Sequence, residues 1–141
     1  MNSSIIPSEM IAAYQGTIFR VLAEETLDLI VGERCEPLRQ LYELYGCASS
    51  AFITAYSPYS VAVSATENTI AQKKLEEELT RYSIRYIAGI GEDREGLWPG
   101  EPSVLALGLS LSEAKSWGTE FKQNAIVWTP GDLTPQLVLL R

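Results

Sequence analysis

The spacing of apolar residues along the chain predicts short strands at both ends of the sequence and helices spaced between strands in its middle. Runs of β-branched and apolar residues at 17–22 and 27–31, joined by Ala23-Glu24-Glu25-Thr26, have the lengths of a hairpin. Leu38, Leu41, Tyr42 and Tyr45 then recur at helical spacing, with Glu36-Pro37 suited to the start of a helix and Gly46 to its end. The segment 51–56 is too continuously apolar to be half exposed, which predicts a central strand. Ser57-Pro58-Tyr59-Ser60 breaks it, because proline has no N–H to give a ladder, and 61–63 read as a short strand or an extended link. Ser64 with Glu67 forms a capping-box pair at the start of the longest helix, about 65–82, whose apolar stripe is Ala71, Leu75, Leu79 and Tyr82. One turn back along that stripe stands Asn68, an amide that would face inward and need a partner.

The segment 84–90 predicts a strand ending in Gly89-Ile90-Gly91, followed by the acidic turn Glu92-Asp93-Arg94-Glu95-Gly96. Gly-x-Gly after a strand invites a dinucleotide reading, but no helix follows: Pro99 and Pro102 force Trp98 and Glu101 into extended backbone. A strand at 104–109 leads to Ser110 and Glu113, a second capping-box pair, and a helix striped with Leu111, Ala114, Trp117 and Phe121, which Gly118 is expected to weaken or end early. Strands at 125–128 and 136–140 flank the turn Pro130-Gly131-Asp132. Residues 1–8 read as a flexible arm and 9–15 as one helical turn. The fold class is therefore α+β: a single domain over 9–141 with a mixed β-sheet and about three helices packed on it.

Composition narrows what such a domain can do. Across 141 residues, eighteen acidic against eleven basic side chains leave a net charge of −7, which disfavours nucleic acid and anionic membrane as partners. No apolar run approaches the roughly 20 residues a membrane helix needs, and no secretion signal precedes the domain, so the expected location is cytoplasmic. Cys35 and Cys47 bracket a helical segment and would stand roughly 18 Å apart at helical rise, so both are expected to be free thiols. There is no histidine, which removes Ser-His and Cys-His nucleophile pairs and histidine metal sites. Nothing indicates a cofactor or a metal; Glu92, Asp93 and Glu101 match no calcium or magnesium loop.

At Phe52-Ile53-Thr54-Ala55, Glu67-Asn68, Gly89-Ile90-Gly91, Trp98, Glu101-Pro102-Ser103 and Gln123-Asn124-Ala125-Ile126-Val127-Trp128 the chain resembles a bacterial family known as domain of unknown function 3293, over roughly residues 14–128. That family typically carries asparagine where this chain has Ser57 and arginine where it has Ala71. The resemblance implies a small intracellular protein and brings no activity with it.

The loops after the central strands are where ligands of open sheets bind. Thr54, Ser57, Asn68, Gly89, Gly91, Trp98, Glu101, Ser103, Gln123 and Asn124 are the candidate binding residues, with Trp98 as an apolar wall and the helix start near Asn68 favouring an anion. Most have a plainer reading. Glu67 caps a helix, Gln123 and Asn124 end one, and Asn68 is satisfied by loop backbone. Glu101, between Gly100 and Pro102, has no capping duty. The expected function is a binding or regulatory module with a pocket for a small polar or anionic ligand. Two alternatives stand beside it: an enzyme using Glu101 as general acid or base, and a module whose Tyr14, Tyr56, Tyr59 and Trp98 form a patch for a protein partner or a second copy of the chain.

Overall fold

Each of the two long helices returns the chain past a strand that has been slotted in between, and this sets the whole sheet. The computed structural model describes residues 4–96 and 98–141. In order along the chain, helix α1 (Ser8–Gln15) leads to the hairpin β1 (Thr17–Val21) and β2 (Leu27–Leu29), then α2 (Leu38–Tyr45), β3 (Ser50–Ile53) and a 3-10 turn (Pro58–Ser60). The second half is α3 (Ala65–Arg81), β4 (Tyr86–Asp93), β5 (Glu101–Leu107), α4 (Leu111–Glu120), β6 (Ala125–Thr129) and β7 (Gln136–Leu139). The sheet order is β2-β1-β4-β5-β3-β6-β7, and all six pairings are antiparallel.

The α+β class holds, but the expected mixed sheet does not form. β3-α3-β4 and β5-α4-β6 each join two strands of the same direction, yet β5 lies between β3 and β4, and β3 lies between β5 and β6. Interleaving the two units, the split β-α-β pattern of ferredoxin-like sheets, turns every neighbour within β4-β5-β3-β6 antiparallel, and β1 and β7 add antiparallel partners on either side. Four α-helices form rather than about three, because 8–15 make two full turns. Of the arm expected over 1–8, residues 1–3 lie outside the described residues, while Ile6 is buried and the Ser4 hydroxyl donates to the Arg141 carbonyl at 2.5 Å.

The helices sit where local chemistry starts and stops them. The Ser110 hydroxyl accepts from Glu113 N–H at 3.1 Å while the Glu113 carboxylate accepts from Ser110 N–H at 2.9 Å, a complete capping box. At Ser64 only the first half appears, with Glu67 N–H donating to the hydroxyl at 3.1 Å. Gly46 closes α2 in the left-handed region at φ 65°. α3 buries Asn68, Gln72, Leu75 and Leu79, and each of the two leucines contributes about 2 kcal/mol of burial; Tyr82, assigned to that stripe by spacing, caps the helix and is 63% exposed.

Two apolar layers flank the sheet. α3 and α4 cover the face carrying Ala51, Ile53, Val104, Ala106 and Ile126. α2 covers part of the other, where Phe52, Leu105, Leu107 and Val127 meet Val21, Leu27 and Leu29 from the hairpin. The Tyr42 hydroxyl donates to the Thr129 carbonyl at 2.7 Å, so the Ser50 hydroxyl, 2.8 Å away, must donate to Tyr42; this fastens α2 to the middle of the sheet. The sheet curls around this second layer. Phe19 on β1 and Phe52 on β3 are three strands apart, about 14 Å in a flat sheet, yet their rings meet edge to face at 5.2 Å.

Gly118 does not end α4, which runs on to Glu120. A Cβ there would stand 2.6 Å from Leu140 Cδ1 and 2.7 Å from Ile126 Cγ2, so glycine allows the helix to press onto β6 and the segment after β7. Gly118→Ala, which would favour an isolated helix, is expected to cost about 1–2 kcal/mol, seen as a lowered midpoint in urea unfolding.

Both cysteines are free. Among the described residues no helix is long and apolar enough to cross a membrane.

Candidate functional site

Register decides which side chains meet on the concave face. Glu101 lies opposite Gly91, which lies opposite Phe19, and directly opposed residues share a face. Alternation along β5 then puts Glu101 and Ser103 on the side of Leu105 and Leu107, the layer that α2 only partly covers. In the uncovered part a cavity of about 580 Å³ opens between the curled sheet, α1 and the loops after β3 and before β5. Thr54, Ser57, Asn68, Gly91, Trp98, Glu101, Ser103 and Gln123, scattered over seventy residues of sequence, all line it.

The loop following β3 forms one rim and is held from several directions. Ala55 N–H donates to Gln72 Oε1 at 2.9 Å and Ser57 N–H to Asn68 Oδ1 at 2.8 Å, so two amides one turn apart on α3 take two loop donors. Gln123 Nε2 donates to the Tyr56 carbonyl at 3.2 Å and to the Phe121 carbonyl at 3.1 Å. The Thr54 hydroxyl donates to the Pro102 carbonyl at 2.7 Å and accepts from Tyr56 N–H at 3.1 Å, tying this loop to the start of β5. These bonds maintain an unusual backbone: Ser57, Tyr59 and Ser60 have φ of 47°, 54° and 62°. Each left-handed residue that is not glycine costs about 1–2 kcal/mol, a strain that persists only where surroundings fix it.

Among the described residues Glu101 is the one carboxyl in the lining, and burial raises its pKa above the ordinary value while a hydrogen bond from the Ser57 hydroxyl pulls part of the way back. Among the described residues it has no ion pair, and no lysine or arginine lines the cavity. A carboxyl with a raised pKa keeps its proton to higher pH in the folded chain than in the unfolded one. Stability is therefore lost as pH climbs from the unfolded value toward the folded one, and above that window the ionised group opposes folding. Glu101→Gln is expected to melt a few degrees higher than wild type at pH 7 and at nearly the same temperature near pH 4, as read by calorimetry.

Gly89 and Asn124 do not line the cavity. A Cβ on Gly89 would lie 2.7 Å from Phe52 Cε2 and 2.9 Å from the Arg20 carbonyl oxygen, so this glycine seats the ring that forms the cavity floor. Nor does Gly89-Ile90-Gly91 end its strand, since β4 runs on to Asp93. Asn124 stands behind the wall: its Nδ2 donates to the Ser60 hydroxyl at 3.0 Å and its Oδ1 accepts from Arg141 at 3.1 Å, while the Arg141 guanidinium lies 4.0 Å from the Tyr59 ring centre. The left-handed residue after α4 is Lys122, not the asparagine. Glu92 points to the opposite face from Glu101 and pairs with Arg20 at 2.6 Å.

Tyr14, Tyr56 and Trp98 are cavity walls, which leaves Tyr59 as the exposed member of the four aromatic residues. None of residues 64–67 at the start of α3 lines the cavity, so the helix terminus does not offer its free N–H groups there. Gln72 was missed in the sequence although its position four after Asn68 places it on the same helix face. Thr17 and Phe19 were also missed, because the curl that brings β1 over β3 leaves no local signal.

No curated protein and no solved structure matches the chain. The profile of one family matches residues 53–126, just over half of the sequence and the stretch that carries all eight cavity-lining candidates, from Thr54 to Gln123. The chain belongs to the family described as protein of unknown function (DUF3293).

Proposed function

We propose that this chain is a binding module, with a regulatory role open to it, whose cavity takes a small polar organic molecule. The observation that carries this reading is the convergence of Asn68, Glu101 and Gln123, far apart in sequence, on one concavity of about 580 Å³. That volume lies within the usual range for small-molecule sites, and its makeup, aromatic walls with a few fixed polar groups, is the usual one. The anionic half of the expectation finds no support in a lining whose one charged side chain is a carboxylate.

Gly91 supplies the test. It faces the cavity, its nearest neighbours to an added Cβ are Thr17 Cγ2 at 3.8 Å and Phe19 Cδ1 at 3.9 Å, and its φ is not in the left-handed region. Gly91→Leu is expected to fold and to place its side chain where a ligand would sit. Screening a metabolite library by thermal shift should give compounds that stabilise wild type by a few degrees and leave Gly91→Leu unmoved. Absence of any stabilising compound in such a library would count against the reading.

A second reading, an enzyme using Glu101 as general acid or base, is supported by the raised pKa of a carboxyl that touches a hydroxyl inside a cavity. It is distinguished by turnover: a ligand that is chemically changed by wild type and not by Glu101→Gln favours the enzyme, and one recovered intact favours the binding module.

A further inference from the structure

We infer that the cavity selects a protonated amine carried on an aromatic or branched-alkyl body, with the Glu101 carboxylate as counter-ion; this rests on the binding-module reading above. Three of the hydroxyls that line the cavity spend their protons on main chain, and Ser57 spends its own on the Glu101 carboxylate. Thr17 donates to the Ala13 carbonyl at 2.7 Å, Thr54 to Pro102 at 2.7 Å, and Ser103 to Glu101 at 3.0 Å. What these groups still present is oxygen lone pairs. Together with the Glu101 carboxylate they make a wall of acceptors, and an ammonium group brings three donors and no acceptor.

Charge leads to the same class. A carboxylate withdrawn from water without a cation opposes folding, and a ligand that supplies the cation removes that penalty on binding. Tyr14, Phe19, Phe52, Tyr56 and Trp98 would surround the rest of the molecule, and aromatic faces attract a cation within about 6 Å. A carboxylate ligand would meet Glu101 as a like charge. The Asn68 amide, whose Oδ1 is fixed toward Ser57 N–H, keeps neutral donors on its nitrogen, which suit an accepting group elsewhere on the same molecule.

The test is a fragment set in which each aryl or branched-alkyl body occurs as primary amine, alcohol and carboxylate, phenethylamine, 2-phenylethanol and phenylacetate among them. Binding is read by ligand-observed NMR to wild type, Glu101→Gln and Gly91→Leu at pH 7. The expected result is that amines bind wild type more tightly than their alcohols, carboxylates bind least, and Glu101→Gln weakens the amines about 30-fold or more while leaving the alcohols unchanged. Gly91→Leu should lose all three classes. Alcohols or carboxylates binding wild type as well as amines, or amines binding Glu101→Gln undiminished, would overturn the amine inference and leave the pocket reading standing. Failure of every fragment and of the metabolite library would remove both.

Discussion

Replacing Gly89 by alanine should destabilise the protein by about 3 kcal/mol, a loss at the upper end of what a single methyl group usually causes in an overfilled core. The added Cβ meets Phe52 Cε2 at 2.7 Å and the Arg20 carbonyl oxygen at 2.9 Å. The ring cannot retreat easily because Phe52 is 4% exposed and already rests edge-on against Phe19. The oxygen cannot retreat at all without moving β1, which pairs with β4 along its full length. The melting temperature should fall by roughly 10 °C. Gly91→Ala, two residues on and facing open cavity, should change stability by less than about 0.5 kcal/mol. Equal losses at both positions would mean that the glycines serve the strand's backbone rather than the ring's seat.

That contrast also marks what the sequence could and could not disclose. Features governed by neighbours along the chain were legible: the caps at Ser64 and Ser110, the glycine stop at Gly46, the central strand β3, and the extended backbone that Pro99 and Pro102 impose around Glu101. Asn68 was legible for the same reason, being an amide on an apolar helical stripe. Pairing was not. The lengths of β3-α3-β4 and β5-α4-β6 fix each crossover, but which strand enters the gap depends on contacts made after both units exist, so a mixed sheet was the natural expectation and an antiparallel one formed. The packing role of Gly118 is equally silent in the sequence, because it lies in Leu140 and Ile126. The cavity stood between these cases. Eight of ten proposed residues line it, since strand ends gather loops, but the β1 wall with Thr17 and Phe19 arrives by curl alone.

Asn68→Ala is expected to cost about 2–3 kcal/mol and to abolish ligand binding together. The carbonyl oxygen of Asn68 takes Ser57 N–H at 2.8 Å, and Ser57 is one of three left-handed residues in the loop that ends at Ser60. Removing the acceptor leaves a part-buried N–H unpaired, costing about 1–3 kcal/mol, and frees the loop to relax out of its strained conformation. Ser57 would then leave Glu101, whose one polar side-chain partner it is among the described residues. Asn68→Asp keeps an oxygen at the same place and should recover most of the stability. Gln123→Ala, which releases the Tyr56 carbonyl from the other side, should give a smaller loss. Because both side chains restrain one segment, the double variant should lose less than the sum of the two single losses, by about 0.5 kcal/mol or more in urea unfolding. Strict additivity would mean that the two amides act separately, and that the rim of the cavity is not the single braced loop described above.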